Sequence, residues 1–300
     1  MGKAEWRKRQ YDAVYINDTT NVFGYYLAKA LGIPFVWHFR GYHETIRHYS
    51  LFDSEINRTK YGKVICISHA MESYMHQYRG MDYSLMTVVY NGVENPNIEI
   101  VQPWHETVKN RELHCIHCGH ISTAKGQMDS VQAIVELKKR GYDQIYLHLA
   151  GTPAIIDGQS YDCVLKKVIR DAEIEDQVIF EGEVKNMPEL RSHMQVELMC
   201  SLAEPFGRVT VEGLQAGLVV IGADTGATPE IITDGTTGLI YQQGNPCSLA
   251  DRIESVYTDS SLGDRLSRNA LEFSKTHFTM ERNVAEINDV LMSAIGEKQL

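Results

Sequence analysis

Long apolar runs are missing from the 300-residue sequence. No stretch approaches the ~18 consecutive apolar residues that a transmembrane helix requires, and the first residues lack the apolar core of a secretory leader. The sequence therefore predicts a cytoplasmic protein. A basic cluster near the start could add a peripheral contact with anionic lipid at the inner membrane face, although we favour a solvated helix end. The cluster comprises Lys3, Arg7, Lys8 and Arg9.

An excess of positive charge is also missing. The formal net charge is −10, and residues 1–100 carry 11 basic and 10 acidic side chains, so the acidic excess lies in the rest of the chain. Nucleic-acid-binding domains usually present a basic face, and we therefore expect no nucleic-acid partner. The length and the 43% hydrophobic content suit one large or two moderate globular domains.

Paired metal-binding motifs are missing as well. Residues 114–120 read HCIHCGH, which resembles half of a zinc knuckle. Zinc takes about four ligands, usually from two such pairs, and the sequence has no second Cys-x-x-Cys. We therefore expect no metal, and we favour a strand whose small cysteines fit a core. The scattered cysteines indicate reduced thiols rather than disulfides; they are Cys66, Cys115, Cys118, Cys163, Cys200 and Cys247.

Strand-like and helix-like segments alternate along the chain, which predicts parallel sheets of α/β type. The alternation runs through residues 1–100, stops in a polar stretch that we interpret as a linker at 101–111, and restarts over residues 112–279. A helical tail follows from residue 248, and its last helix lies within 280–300. The prediction is two Rossmann-like, doubly wound domains and a C-terminal helical tail.

Residues 199–241 contain the most informative pattern. Apolar residues lead into Ser201, a loop carries Glu204, and residues 208–216 have the pattern of a short helix that includes Glu212. Ligands of open α/β sheets bind beyond the carboxyl ends of the strands, and the amides at a helix start suit a phosphate. Two carboxylates beside a phosphate site suit sugar hydroxyls, so the pattern favours a nucleotide-sugar. Farther along, Thr228 is predicted to cap another helix through its hydroxyl.

The block EPFGRVTVEGLQAG at 204–217, followed by GATPE at 226–230, resembles the retaining glycosyltransferases of family 4, which have the GT-B fold. The resemblance implies transfer of a sugar from a nucleoside-diphosphate sugar to a hydroxyl of a saccharide or lipid-linked acceptor. It further implies retention of the anomeric configuration, a role in cell-surface polysaccharide or glycoconjugate synthesis, and no cofactor besides the donor substrate. Asp-x-Asp, which would hold a metal, is absent.

The same resemblance assigns roles to individual residues. It implies that Glu204 holds hydroxyls of the transferred sugar, that His38 lies near that sugar, and that Glu212 binds the ribose. We treat Glu204 and His38 as the candidate catalytic residues. The backbone amides assigned to phosphate or sugar oxygens are those of Phe206, Gly207, Arg208 and Val209.

Two further segments match the family's donor site. Gly119 and Lys125 fit the pattern that grips the diphosphate, but His120 stands where the family has an arginine, which brings a permanent charge and a fork of donors. Gly182 and Val184 fall where the family's backbone receives the nucleobase.

The pattern breaks at the start of the chain. Family members begin with a strand, a glycine-rich loop and a helix to which nothing here corresponds, so we expect a truncated N-terminal domain with an exposed sheet edge that could self-associate. Three interpretations follow. The first is a glycosyltransferase, the second a catalytically silent nucleotide-sugar-binding protein or truncated remnant, and the third a GT-B sugar-nucleotide epimerase, which the block at 204–217 disfavours.

Overall fold

The protein is described by a computed structural model that covers residues 11–42, 56–59, 62–94 and 112–299, with side chains to residue 296. The basic cluster near the start and the predicted linker at 101–111 lie outside these residues. The chain divides into two compact units. The N-terminal unit comprises Met1–Gly92 and Met280–Leu300, and the C-terminal unit comprises Val93–Thr279.

The N-terminal unit contains a parallel sheet. Its described strands are β1 (Val14–Ile16), β2 (Phe35–Phe39), β3 (Gly62–Cys66) and β4 (Met86–Val88), hydrogen-bonded in that order. Its helices are α1 (Val22–Leu31), α2 (His69–Arg79) and the last helix, α10 (Met280–Gln299).

Local chemistry sets the ends of these helices. Gly32 takes a left-handed φ of 68° and ends α1. The hydroxyl of Ser68 accepts a hydrogen bond from the amide of Met71 and so caps α2. Helix α10 packs against β2 and β3, where Val290 and Ala294 meet Val36 and Ile65.

The C-terminal unit is built on a larger parallel sheet with the strand order β12-β11-β10-β5-β6-β9. The strands of this unit are β5 (Leu113–Cys118), β6 (Ile145–Ala150), β7 (Ile155–Ile156), β8 (Gln159–Ser160), β9 (Val178–Gly182), β10 (Val196–Met199), β11 (Val219–Ala223) and β12 (Leu239–Tyr241). Its helices are α3 (Gln127–Lys139), α4 (Asp162–Asp171), α5 (Met187–Arg191), α6 (Arg208–Gln215), α7 (Thr228–Ile231), α8 (Pro246–Thr258) and α9 (Ser260–His277).

The strand order places a topological switch between β5 and β10. The chain leaves β5 toward β6 and β9 on one side and returns to β10, β11 and β12 on the other. Hydrophobic clusters cover both faces of the sheet, so β10 and β11 are buried along their whole length. Ligands of such sheets bind at the carboxyl ends of the strands beside the switch, which here are the loops after β5 and β10.

Two features differ from the prediction. The short hairpin of β7 and β8 was not predicted. The expected cap at Thr228 is wrong, because Ala227 is the capping residue and Thr228 is already buried in the first turn of α7. Among the helices described, none combines the length and apolarity that crossing a membrane requires.

Candidate functional site

An ion pair joins the loops that follow β5 and β10. The ammonium of Lys125 lies 2.7 Å from Oε2 of Glu204, and the hydroxyl of Ser201 donates to the same oxygen at 3.2 Å. The side chain of Glu204 is 11% exposed and that of Lys125 is 35% exposed. The structure therefore brings together two of the predicted site residues that come from distant segments.

The start of α6 lies beside this pair. Gly207 adopts a left-handed φ of 94° as the capping residue, and no side chain caps the helix. A Cβ on Gly207 would lie 3.2 Å from Cγ of Glu204 and 2.9 Å from Oγ1 of Thr210. The hydroxyl of Thr210 is buried and has no hydrogen-bond partner in the part of the chain that the structure describes. The first amides of a helix have no acceptor within it, so the amides of Arg208 and Val209 can bind an anion.

Glycine loops lie at the carboxyl ends of β5, β6 and β9. Gly119, Gly151 and Gly182 have φ of 133°, 151° and 67°. The amide of Gly151 donates to the carbonyl of Gly182 at 2.8 Å, and a Cβ on Gly151 would lie 1.9 Å from the carbonyl oxygen of Gly119. Only glycine permits this close approach of backbones. The exposed His120 contacts the hydroxyl of Thr152 at 3.3 Å through Nδ1.

Glu212 has partners of its own. Its Oε2 lies 3.0 Å from Nη1 of Arg191, and its Oε1 lies 3.7 Å from the exposed guanidinium of Arg208. Arg191 also binds Glu197, with 2.8 Å between Nε and Oε2. The two predicted glutamates therefore belong to separate networks, one centred on Lys125 and the other on Arg191.

Apolar contacts account for the remaining predicted positions. Val184 and Val209 pack against one cluster that contains Ile116 and Cys118. Phe206 is buried, and its ring contacts Phe278 edge-on with 6.0 Å between centroids. These side chains position the backbone whose amides and carbonyls the prediction uses.

His38 lies in β2 of the N-terminal unit and is fully buried. Its Nδ1 lies 2.6 Å from the hydroxyl of Tyr15, and its Nε2 has no hydrogen-bond partner among the described residues. Burial lowers the pKa of His38 to about 3, with a smaller contribution from the charge of Arg40. The imidazole is therefore neutral near pH 7.

The contact between Nδ1 of His38 and the hydroxyl of Tyr15 can be donated by either group, because a neutral imidazole carries its proton on one of two nitrogens. The other nitrogen, Nε2, is buried and has no hydrogen-bond partner among the described residues. His38 thus presents one buried ring nitrogen that is suited to a polar group of a ligand.

The cysteines of the knuckle-like segment are part of β5. Cys115 and Cys118 are buried, and Nδ1 of the buried His117 lies 2.8 Å from the hydroxyl of Ser130. In the residues that the structure covers, no group of three histidine, cysteine or acidic side chains could hold a metal ion. The prediction that this segment is a strand whose cysteines lie in the core is confirmed.

The chain matches two family descriptions. Residues 102–273 match "Glycosyl transferases group 1", and residues 3–95 match "Glycosyltransferase Family 4". The chain belongs to the group 1 glycosyltransferases. This assignment confirms the resemblance at 204–217.

Curated relatives of this group 1 glycosyltransferase have different acceptors. It is 25% identical over 238 residues to N-acetyl-alpha-D-glucosaminyl L-malate synthase of Bacillus anthracis, covering 78% of this chain and 60% of the relative. It is also 25% identical over 193 residues to the lipopolysaccharide core biosynthesis mannosyltransferase LpcC of Rhizobium leguminosarum bv. viciae, covering 62% and 53%. The chain thus spans little more than half the length of these relatives.

Solved structures confirm the fold of this group 1 glycosyltransferase. Anabaena HepE in complex with UDP aligns with a TM-score of 0.84 at 24% identity, covering 97% of this chain and 80% of that one. HepE in complex with UDP-glucose aligns with a TM-score of 0.80. The predicted GT-B fold, with its parallel sheets, is confirmed.

Sequence reasoning missed the residues that hold the site residues in place. Arg191 and Tyr15 each bind a predicted site residue, yet neither belongs to a recognisable motif. One signal was present, because Glu197 interrupts the apolar strand at 196–199. A charge inside a buried strand requires a partner, and that partner is Arg191.

Proposed function

We propose that this chain transfers a sugar from a nucleoside-diphosphate sugar to a hydroxyl of a saccharide or lipid-linked acceptor, with retention of the anomeric configuration. The observation that supports this most is the uncapped start of α6, which lies beside the Lys125–Glu204 ion pair. Unpaired amides, a lysine and a buried carboxylate next to one another suit a ligand that is a phosphate on one side and a sugar on the other.

In this proposal the departing diphosphate is stabilised by the amides of Arg208 and Val209 and by Lys125. Preorganised donors of this kind contribute ~3–4 kcal/mol each to transition-state stability. As the diphosphate binds, the ammonium of Lys125 turns from Glu204 toward the phosphates. The Glu204 carboxylate, which Ser201 still holds, is then available to accept hydrogen bonds from hydroxyls of the transferred sugar.

The remaining assignments follow the family resemblance. The backbone at Gly182 and Val184 would receive the nucleobase, and Glu212 would accept hydrogen bonds from the ribose. His38 would bind a polar group of the substrate through Nε2. Because its pKa is lowered to about 3, the imidazole is too weakly basic to act as an effective general base near neutral pH.

Relatives indicate which substrates to test first. HepE binds UDP and UDP-glucose, and LpcC of Rhizobium is named for lipopolysaccharide core biosynthesis. We therefore propose a UDP-hexose as the first donor to test and a role in cell-surface glycoconjugate synthesis. The HepE likeness is below 25% identity, so it supports the choice of a donor panel rather than one donor.

The test is a transfer assay with the purified chain. UDP-, GDP- and ADP-sugars are incubated with saccharide and lipid-linked acceptors, and the anomeric configuration of the product is determined by NMR. We expect release of nucleoside diphosphate with a product of the same configuration as the donor. Binding of a donor without turnover on any acceptor would favour the silent nucleotide-sugar-binding alternative, and inversion would contradict the retaining mechanism.

A further inference from the structure

A continuous chain of charged groups runs from inside the large sheet to Glu212. Glu197 lies in the centre of β10 and is fully buried, and Arg191, at the end of α5, is 5% exposed. Nε and Nη2 of Arg191 face the two oxygens of Glu197 at 2.8 and 3.5 Å. The third nitrogen, Nη1, lies 3.0 Å from Oε2 of Glu212.

Close packing brings these three residues together. Gly213 follows Glu212 in α6, and a Cβ on Gly213 would lie 3.0 Å from Cβ of Glu197. Because Gly213 has no side chain, α6 approaches β10 closely enough for one guanidinium to bridge them. Burial alone would lower the pKa of Arg191, but the charge and hydrogen bonds of Glu197 keep it above its ordinary value, so Arg191 remains cationic.

We propose that Arg191 is a positioning residue that orients the carboxylate of Glu212 toward the ribose of the donor. This inference rests on the proposed function, since it requires Glu212 to bind ribose. Arg191 engages Oε2, whereas the charged group that lies nearest Oε1 among the described ion pairs is the exposed Arg208, at 3.7 Å. The Glu212 side chain is 27% exposed, so part of it is accessible to a hydroxyl of a ligand.

The chemistry of the network favours positioning over stabilisation. Replacing a buried ion pair by apolar side chains of similar volume is often neutral or stabilising, so stability alone gives little reason for this one. A planar guanidinium whose Nε and Nη2 both face the carboxylate of Glu197 has a fixed orientation. It therefore fixes the direction of the Glu212 carboxylate, which otherwise has several rotamers.

The test compares ribose and deoxyribose nucleotides. The affinities of UDP, 2′-deoxy-UDP and 3′-deoxy-UDP are measured by calorimetry. The ribose, 2′-deoxy and 3′-deoxy forms of GDP and of ADP are measured in parallel. Three variants are compared. R191M/E197L removes the ion pair between Arg191 and Glu197 without leaving a buried charge. R191K keeps the positive charge but not the forked donors of the guanidinium, and E212A removes the carboxylate. R140M is the matched control, because Arg140 forms surface ion pairs with Glu136, Asp251 and Glu254.

We expect the variants to lose the preference for ribose over deoxyribose nucleotides and not to lose nucleotide binding in general. The wild type and R140M should prefer the ribose form over at least one deoxy form by about 10-fold or more, as for a hydrogen bond to a charged group. E212A and R191M/E197L should bring that ratio close to one, while affinity for the deoxy form changes by less than about threefold. R191K should give an intermediate ratio, and it carries the test if the double variant does not fold.

Two other results separate the possible failures. If E212A loses the discrimination while R191M/E197L and R191K keep the wild-type ratio, Arg191 is merely structural and the inference is wrong. If a nucleotide binds but the wild type does not discriminate between the sugars, Glu212 does not bind ribose and the positioning role falls with it. If no nucleoside diphosphate binds at all, the proposed function itself fails.

Discussion

Single hydrogen bonds decide what the buried residues of this protein can do. His38 could in principle be an acid, a base or a donor, and its sequence position distinguishes none of these roles. Burial lowers its pKa to about 3, and the hydroxyl of Tyr15 holds its Nδ1. The same residue type at position 120 is exposed, and its side chain contacts only Thr152 in the described hydrogen bonds. Environment, not residue type, separates the two histidines.

Tyr15→Phe should therefore destabilise the N-terminal unit. It should also remove the hydrogen bond that influences which ring nitrogen of His38 carries the proton. The substitution leaves a buried imidazole nitrogen without its partner, which costs about 1–3 kcal/mol of unfolding free energy. Urea unfolding measures the loss, and ¹⁵N shifts of labelled histidine report the tautomer. Tyr83→Phe is the control, because Tyr83 is 50% exposed and its loss should stay within about 0.5 kcal/mol. Equal effects of the two substitutions would refute the role of Tyr15.

Whole elements were predicted well where their ends carry glycine, proline or a capping side chain. Helix α1 ends at Gly32, the residue type that most often ends helices, and the predicted alternation of strands and helices is present from β5 and β6 onward. The hairpin of β7 and β8 escaped prediction because two-residue strands show no alternation, and its only signal was the turn at Asp157 and Gly158. The break between α8 and α9 had a signal in Asp259, whose carboxylate caps α9.

The predictable part of the candidate site consists of backbone and motif residues. A short helix after a glycine loop can be inferred from spacing, and so can the loops that hold Lys125 and Glu204. The Lys125–Glu204 pair and the Arg191 bridge connect residues far apart in sequence, and only the packing of α5 and α6 on the sheet brings the bridge together. No local pattern encodes contacts of that kind.

Gly126 tests how tightly the turn that precedes α3 packs against the end of β10. It has a φ of +72°, and a Cβ there would lie 2.0 Å from the carbonyl oxygen of Cys200. Gly141 has a φ of +90° with nothing within 4 Å, so it is a matched control. Gly141→Ala should cost about 1–2 kcal/mol for the left-handed backbone, whereas Gly126→Ala should cost at least about 2 kcal/mol more. Equal losses in urea unfolding would show that the close approach is unimportant.

At the scale of the whole molecule, both units bury a neutral histidine. Burial lowers the pKa of His38 in the N-terminal unit and of His117 in the C-terminal unit to about 3, from an ordinary value of 6.5. Between these values the unfolded chain binds more protons than the folded one. Stability therefore falls as the pH falls below 6.5.

The unfolding free energy should decrease by up to ~1.4 kcal/mol per pH unit for each of these histidines. Urea unfolding followed by circular dichroism between about pH 7 and about pH 4 measures this slope. His117→Gln should reduce the slope for the C-terminal unit, because it removes the group that takes up a proton on unfolding. A wild-type slope of zero in this range, or a variant slope equal to that of the wild type, would contradict the account.

The central claim is that the start of α6 and Lys125 together bind the diphosphate of a nucleotide-sugar. The most direct measurement is a calorimetric comparison of UDP with uridine in the wild type, in Lys125→Met and in the control Lys139→Met, whose side chain is 70% exposed. Lys125→Met should weaken UDP binding by about 10-fold or more while the affinity for uridine changes by less than about threefold, because only the diphosphate contacts the ammonium. Lys139→Met should change neither. Equal losses for UDP and uridine, or an unchanged affinity for UDP, would contradict the claim.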